Sequence, residues 1–283
     1  MTDGAGSKQG RVGMGAVTSL LQLGTAKVDI TPRLPIHLAG FGSRRSLCED
    51  VSQRLYARAW LFKRNDGTGN EGSLLLVQGD LIWWGSEWIA PMSQRITEKW
   101  GIPPDRTLFH ASHTHGGPQT TRQFCDSLGI MEPSYIHFLM EQVDHAVQIA
   151  HDCVETVTVE RGSGACASIG INRRLPKQGK IEMAPNPAGL VDPEVTVIRF
   201  CTPAKQVKGV LFHFACHPTT TSDNRVTSEY CGAAMEELDR QLGDGISCFL
   251  QGCCGDVRPA LHKDGAFFSG NERDVREAGG QLA

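Results

Sequence analysis

The sequence predicts an α/β fold, a mostly parallel or mixed central sheet flanked by helices, with a metal site at the C-terminal edge of the strands. Three observations carry this prediction. Short apolar runs such as SLLLVQ at 73–78 end in polar residues, as buried strands do. Patterns at helical spacing lie between the runs, which favours helices layered on a sheet. Four runs are each followed by an aspartate or a histidine, at the edge where open α/β sheets form their binding crevice.

Residues 1–18 read as a flexible tail, Gly-rich and without an apolar period, and 19–283 as a single domain. The run at 73–78 ends at Gly79-Asp80. Trp88, Ile89, Met92, Ile96 and Trp100 then recur at helical spacing, with Gly101 and Pro103 as stop signals. A strand is expected at 107–112. Glu132-Pro133 opens a long helix that carries Ile136, Leu139, Met140, Val143, Val147 and Ala150 on one face. Strands are expected at 154–160 and 195–201, with a long loop at 173–194, where Pro, Lys and Gly are frequent. A further strand covers 209–216, Ser228 caps a helix to Leu242 with Gly243 as its stop, and 246–250 is the last strand. Asn271 caps a final helix with Val275, Ala278 and Leu282 on one face. It runs to Ala283 without a C-terminal cap: either the helix frays at a true terminus or the sequence is a shortened piece of a longer one, the reading that the resemblance given below favours.

Of 283 residues, 40% are hydrophobic and 21% charged, an ordinary globular composition able to build a core without staples. Lys plus Arg is 28 against 31 acidic residues, a net charge of −3, which argues against nucleic acid as a partner. The ten cysteines form no CxxC pair, so neither a zinc ribbon nor a thioredoxin-type motif is readable, and unpaired thiols in a reducing compartment are expected. The first residues lack a signal peptide's apolar stretch, and no run approaches the ~18 residues of a membrane span. A cytoplasmic protein without a transmembrane segment is the expectation.

Chemistry concentrates in three turns. Ser112-His113-Thr114-His115-Gly116-Gly117-Pro118 follows a strand, and on an extended backbone residues i and i+2 point to the same side. Both imidazoles can then meet one metal, or one ligates while the other acts on the substrate. The same spacing also suits two half-buried histidines bonded to carbonyls. His217 ends the run from Phe212 and precedes Pro218 and three threonines, placed to ligate; His213 reads as a core histidine and Cys216 as packing. In Gly255-Asp256-Val257-Arg258-Pro259, Asp256 can ligate, orient a water, bond a histidine or cap a tight turn. A thiolate nucleophile at Cys253 or Cys254 lacks any supporting motif. Asp80, His113, His217 and Asp256 are expected to converge.

Six segments occur in order across residues 21–261: Gly24-Thr25-Ala26-Lys27-Val28-Asp29-Ile30-Thr31-Pro32, Arg54-Leu55-Tyr56-Ala57-Arg58-Ala59, the His113 turn, Ile171-Asn172-Arg173-Arg174, the run at 214–221 and the Asp256 turn. Together they resemble the N-terminal catalytic domain of the neutral/alkaline non-lysosomal ceramidases. The resemblance implies a Zn2+-dependent amidohydrolase that splits the N-acyl bond of ceramide, a lipid amide, into sphingosine and a fatty acid. It implies His113 and His217 as zinc ligands, and His115 beside the metal as proton donor or oxyanion stabiliser. Asn172 and Arg173 would lie near the substrate, and Asp256 would orient a histidine or the water. The family's remaining ligands, a Glu and a Tyr, come from chain beyond this sequence. Where the family motif reads Gly-Asp-Val-Ser-Pro this chain has Arg258, a large permanent cation in place of a small hydroxyl and a further candidate catalytic residue. That departure keeps two alternatives open: a zinc hydrolase of another amide or ester, and a non-catalytic ligand-binding relative.

Overall fold

Apolar residues alternate along the central strands of the two larger sheets so that both faces of these strands are covered, and four layers result. The computed structural model describes residues 20–65 and 71–283; the expected tail at 1–18 lies outside the described residues. In chain order the elements are β1 (Leu20–Asp29), β2 (Tyr56–Asn65), β3 (Glu71–Gly79), α1 (Ser86–Trp100), β4 (Thr107–Ala111), α2 (Pro133–Asp152), β5 (Glu155–Thr156) and β6 (Thr158–Ala165). They continue with β7 (Gly170–Lys177), β8 (Lys180–Asn186), β9 (Glu194–Cys201), β10 (Val207–Phe214), α3 (Glu229–Leu242), β11 (Ile246–Gln251), β12 (Val257–Pro259), β13 (His262–Lys263), β14 (Ala266–Phe267) and α4 (Glu272–Leu282).

The first sheet has strand order β4-β3-β2-β1-β5 and the second β11-β10-β9-β6; β12-β7-β8 and β13-β14 form small ribbons. Among the described strands only β3–β4 and β10–β11 pair in parallel, and the other strand pairings are antiparallel. The fold is therefore α/β with mixed sheets, the second of the two arrangements expected, and the central sheet is divided in two. Ala57, Ala59, Leu61, Leu75 and Val77 face α1 and α2, meeting Met92, Ile96, Leu139, Val143 and Val147. The alternate residues Leu23, Trp60 and Leu76 face the second sheet and pack on Phe200, Leu211 and Cys248. Phe212, Phe214 and Phe249 point away from that layer, onto Tyr230, Ala234 and Met235 of α3 and Leu282 of α4. Period-two alternation in the strands and a one-sided apolar face on each helix thus generate the order helices, sheet, sheet, helices.

The helix ends follow their punctuation. Pro133 occupies the first turn of α2, Gly101 closes α1 in the left-handed region, and Asn271 opens α4 with a complete capping box through Asp274. Ser228 precedes α3 but its side chain caps nothing. Thr227 Oγ1 instead accepts the Glu229 N–H at 3.0 Å, because Glu229 takes a positive φ of 61° and turns the helix start away from the Ser228 hydroxyl.

Two further expectations are corrected. The strand expected at 154–160 is divided at Val157. β5 closes the first sheet against β1, while β6 joins β9 in the second, with the Val157 side chain in the core between them. The long loop expected at 173–194 is largely the β7–β8 hairpin. Gln178 (φ 50°) and Gly179 (φ 76°) make the two-residue left-handed turn that suits the twist of a hairpin. β1 and β2, paired along their whole length, are not among the predicted elements.

Candidate metal centre

The two sheets meet where β4 and β10 end, and the candidate histidines leave from those ends. His113 and His115 follow β4, and His217 follows β10. His113 is not on extended backbone: its φ is 66°, a conformation that costs an L-residue roughly 1–2 kcal/mol. The two rings therefore converge through a left-handed kink, not through the pleat that the i, i+2 spacing suggests. The kink is held by the His113 N–H, which donates to Leu81 O at 2.9 Å, and by its Nδ1, 2.8 Å from Ile82 O.

Nε2 of His217 lies 3.2 Å from Nε2 of His113 and 3.2 Å from Nε2 of His115. One ligand nitrogen from each ring falls within 4.8 Å of the others. Burial is the main force on all three rings, and it disfavours their charged form. His217 is pushed down to about 4, with Arg173 and His113 adding to the effect. His115 falls well below its ordinary value, with His217, His113 and Arg44 as secondary causes. His113 is lowered by burial and less by Arg173, against the Ile82 carbonyl.

These facts test the fit to a metal. Nδ1 of His113 faces Ile82 O, and Nδ1 of His217 faces Cys254 O at 3.2 Å. A carbonyl only accepts, so each Nδ1 carries the hydrogen and each Nε2 of these neutral rings is a lone pair. Two lone pairs facing each other at 3.2 Å repel unless a cation lies between them. Tetrahedral nitrogen ligands at the usual ~2.0–2.1 Å from zinc stand roughly 3.3 Å apart, close to the separations seen. The residues fit a metal ion.

The other expected residues are placed differently. Asp80 does not join the cluster. It is fully buried beneath the first sheet's edge, 3.2 Å from Arg58 Nη1, and accepts from Gln78 Nε2 at 3.2 Å and Tyr56 N at 2.9 Å. Its partners come from β2 and β3, so it holds the sheet together. Asp256 is exposed, and its carboxylate does not orient a histidine; that task falls to the carbonyls of Ile82 and Cys254. The backbone carbonyl of Asp256 accepts the Arg173 N–H at 2.7 Å. Asn172 is buried and consumed locally, Nδ2 donating to Leu190 O and Oδ1 accepting the Arg174 N–H, each at 2.9 Å. It shapes the ribbon and presents no free polar group to a substrate.

Arg173 lies beside the cluster, its Nε and Nη2 donating to Gly255 O at 3.1 and 2.9 Å. Arg258 donates to Thr219 O at 3.3 Å and lies over the Phe267 ring, 4.4 Å from its centroid. Since Arg258 pairs with Ile171 across β12 and β7, it projects on the same face as Arg173. Among the described residues, neither guanidinium has a carboxylate within ion-pair distance. Cys216 is buried, as expected of packing, and burial raises the Cys254 thiol, which removes support for a thiolate nucleophile.

Two residues not predicted shape the site. A Cβ on Gly40, whose φ is 96°, would collide with the His115 ring, so this glycine makes room for it. Nδ1 of His115 is buried against Gly40 without a well-formed hydrogen bond. Arg44 donates to His115 O, to Ala39 O at 3.3 Å and, across the seam, to Asp223 O at 2.6 Å. The only sequence signal for either was the glycine-rich stretch at 40–43. A cavity of about 660 Å3 opens elsewhere, between residues 31–36 and the start of α2, and no histidine of the cluster lines it.

Residues 21–277 match the family described as neutral/alkaline non-lysosomal ceramidase, N-terminal. The chain belongs to this family. The ceramidase-family chain is 26% identical over 266 residues to the neutral ceramidase of Mycobacterium tuberculosis, an alignment covering 85% of this chain and 40% of that relative. Its fold matches the neutral ceramidase of Pseudomonas aeruginosa with a TM-score of 0.79 at 20% identity, over 93% of this chain and 44% of the other. A ceramidase complexed with C2 matches equally, with a TM-score of 0.79 at 19% identity. The chain thus spans less than half the length of these relatives.

Proposed function

We propose that this chain supplies the zinc-binding part of an amidohydrolase that cleaves the N-acyl bond of a ceramide-like lipid amide. The observation that carries the reading is the convergence of three neutral imidazoles, two with their Nε2 lone pairs fixed inward by carbonyls. His113 and His217 would hold the ion. The chemistry zinc supplies when bound is Lewis acidity toward a carbonyl oxygen and a water of lowered pKa.

The chain's own groups supply the rest. His115, whose Nδ1 has no well-formed partner, is free to carry its hydrogen on Nε2. From there a neutral ring can donate to a developing oxyanion. Arg173 adds positive charge at the cluster's edge without ligating. The kink at His113 and the Gly116-Gly117 turn keep the rings at the end of the sheet, where a bulky amide can approach. Among the described residues no helix is long and apolar enough to cross a membrane.

The test is elemental analysis of chelator-treated and zinc-reloaded protein, beside His113→Ala and His217→Ala, with release of fatty acid from N-acylsphingosine as the second readout. About one zinc per chain, lost in both variants, with turnover following the zinc, is the expected result. A folded parent that takes up no zinc would overturn the reading.

A second reading rests on Arg173 and Arg258, two guanidiniums on one face without carboxylate partners. Such a pair suits an acyl amide that bears an anionic group. Comparing the parent with Arg258→Ser on neutral ceramide and on N-acyl amino acids separates the two. A selectivity that ignores the substitution removes the second.

A further inference from the structure

The histidine cluster straddles a seam. His113 and His115 hang from β4, an edge strand of the first sheet; His217 hangs from β10, beside the edge strand β11 of the second. An edge strand leaves alternate N–H groups unpaired, and each needs an acceptor. On β11 three such groups are met by side chains. Ser247 N–H donates to Asp239 Oδ1 at 2.7 Å, Phe249 N–H to Met235 Sδ at 3.2 Å, and Gln251 N–H to His110 Nε2 at 2.7 Å. The first two acceptors belong to α3, within the same half of the molecule. The third comes from β4 and crosses from one sheet to the other.

The position of that crossing bond is what gives it consequence. His110 stands three residues before His113. Gln251 stands three residues before Cys254, whose carbonyl fixes the His217 ring. One hydrogen bond therefore ties the β4 end, from which His113 and His115 depart, to the β11 end, whose following turn fixes the His217 ring. Its direction is also set. A backbone N–H can only donate, so His110 presents a lone pair on Nε2 and carries its hydrogen on Nδ1. Burial, with His213 as neighbour, favours the neutral ring that this bond needs. The next residue, Gly252, packs so closely on His213 Nε2 that a Cβ there would collide with it, which leaves the strand end little freedom to drift.

We propose that His110 is a positioning residue for the cluster: its Nε2, accepting from Gln251 N–H, sets the spacing between the His113/His115 arm and the His217 arm. This rests on the metal reading above. A mere edge cap would change stability and leave metal affinity alone. A positioning bond predicts the reverse emphasis, and predicts that any acceptor of similar reach restores it.

The experiment titrates Co2+ into the full chain as parent, His110→Phe and His110→Gln. It records the visible spectrum, the metal-free melting temperature and the exchange rate of the Gln251 amide. His110→Phe keeps the ring and removes the acceptor; His110→Gln keeps an acceptor oxygen. The expected result is a roughly 10–100-fold weaker Co2+ affinity for His110→Phe with an altered spectrum, the range typical of outer groups that orient ligands. His110→Gln should bind within a few-fold of the parent. Gln251 should exchange slowly in the parent and in His110→Gln, and fast in His110→Phe. Equal affinity and spectrum in parent and His110→Phe would overturn the proposal, as would equal losses in the two variants. If His110→Phe does not fold, a His110→Gln protein that folds yet loses Co2+ overturns it as well. A parent that binds no Co2+ would instead sink the metal reading. The inter-sheet bond then stands or falls on whether the Gln251 amide is protected in the parent.

Discussion

The two arms of the histidine cluster are built by opposite means. The His217 arm is held by backbone in ordinary conformation: its N–H donates to Val257 O at 3.0 Å, its Nδ1 faces Cys254 O, and Tyr230 Oη donates to Cys216 O at 2.5 Å just before it. The His113/His115 arm is strained. It needs a left-handed histidine, a glycine at 40 to clear the second ring, and an arginine on the His115 carbonyl. One arm gains its geometry from hydrogen bonds made on ordinary backbone, and the other from positions where few residues fit. The difference teaches where substitution should hurt most and in which currency.

The largest expected effect is shared by both arms. The rings of His113, His115 and His217 all titrate below their unfolded value. Between the unfolded value near 6.5 and the folded value near 4 for His217, the unfolded chain binds more protons than the folded one. Metal-free protein should therefore be most stable above pH 6.5 and lose stability as pH falls toward 4, by up to about 1.4 kcal/mol per pH unit for each such ring. Urea unfolding at pH 7 and pH 5 measures it, and equal stability at both would show rings that titrate normally.

Gly40→Ala comes next and strikes the strained arm alone. It combines an unfavourable φ with a collision on the His115 ring, for a loss of about 2–4 kcal/mol of stability and of the turnover that His115 would support. Thermal melts and the fatty-acid release assay would register the two, and unchanged turnover would mean His115 is not held by this packing. Tyr230→Phe probes the other arm by leaving Cys216 O unsatisfied in the core, at about 1–3 kcal/mol in denaturant unfolding. The smallest effect sharpens the comparison most. At His113, glycine should be more stable than alanine by about 1 kcal/mol, because the site is left-handed. At His217 alanine should equal or exceed glycine. The same order at both positions would erase the distinction between the arms.

What could be read from sequence divides along the same physical line. Helices were legible because their ends are local: Pro133, Gly101 and Asn271 act on the residues beside them. The two histidine turns were legible as chemistry for the same reason. The β7–β8 ribbon was not, because its outer residues, including Ile181 and Met183, are exposed and give no apolar alternation to read. The role of Asp80 was hidden because its partner Arg58 lies 22 residues earlier in a neighbouring strand. The route by which His113 and His115 converge was misjudged because a two-residue spacing fits both a pleat and a left-handed kink, and only the bonds to Leu81 and Ile82 choose between them.

The pairing pattern also orders events in time. β1 is completed on its outer side by β5, residues 155–156, and the His113 turn is bridged by Gly116 to Thr227, as Val51 is to Val226. A chain emerging from the ribosome has made both early histidines more than a hundred residues before it makes the segment that braces them. The first sheet's helices and strands can condense in the meantime, since their contacts lie within the first 160 residues. The cluster itself cannot settle until residues 254–257, which fix His217, have arrived, so its geometry should be completed late in synthesis.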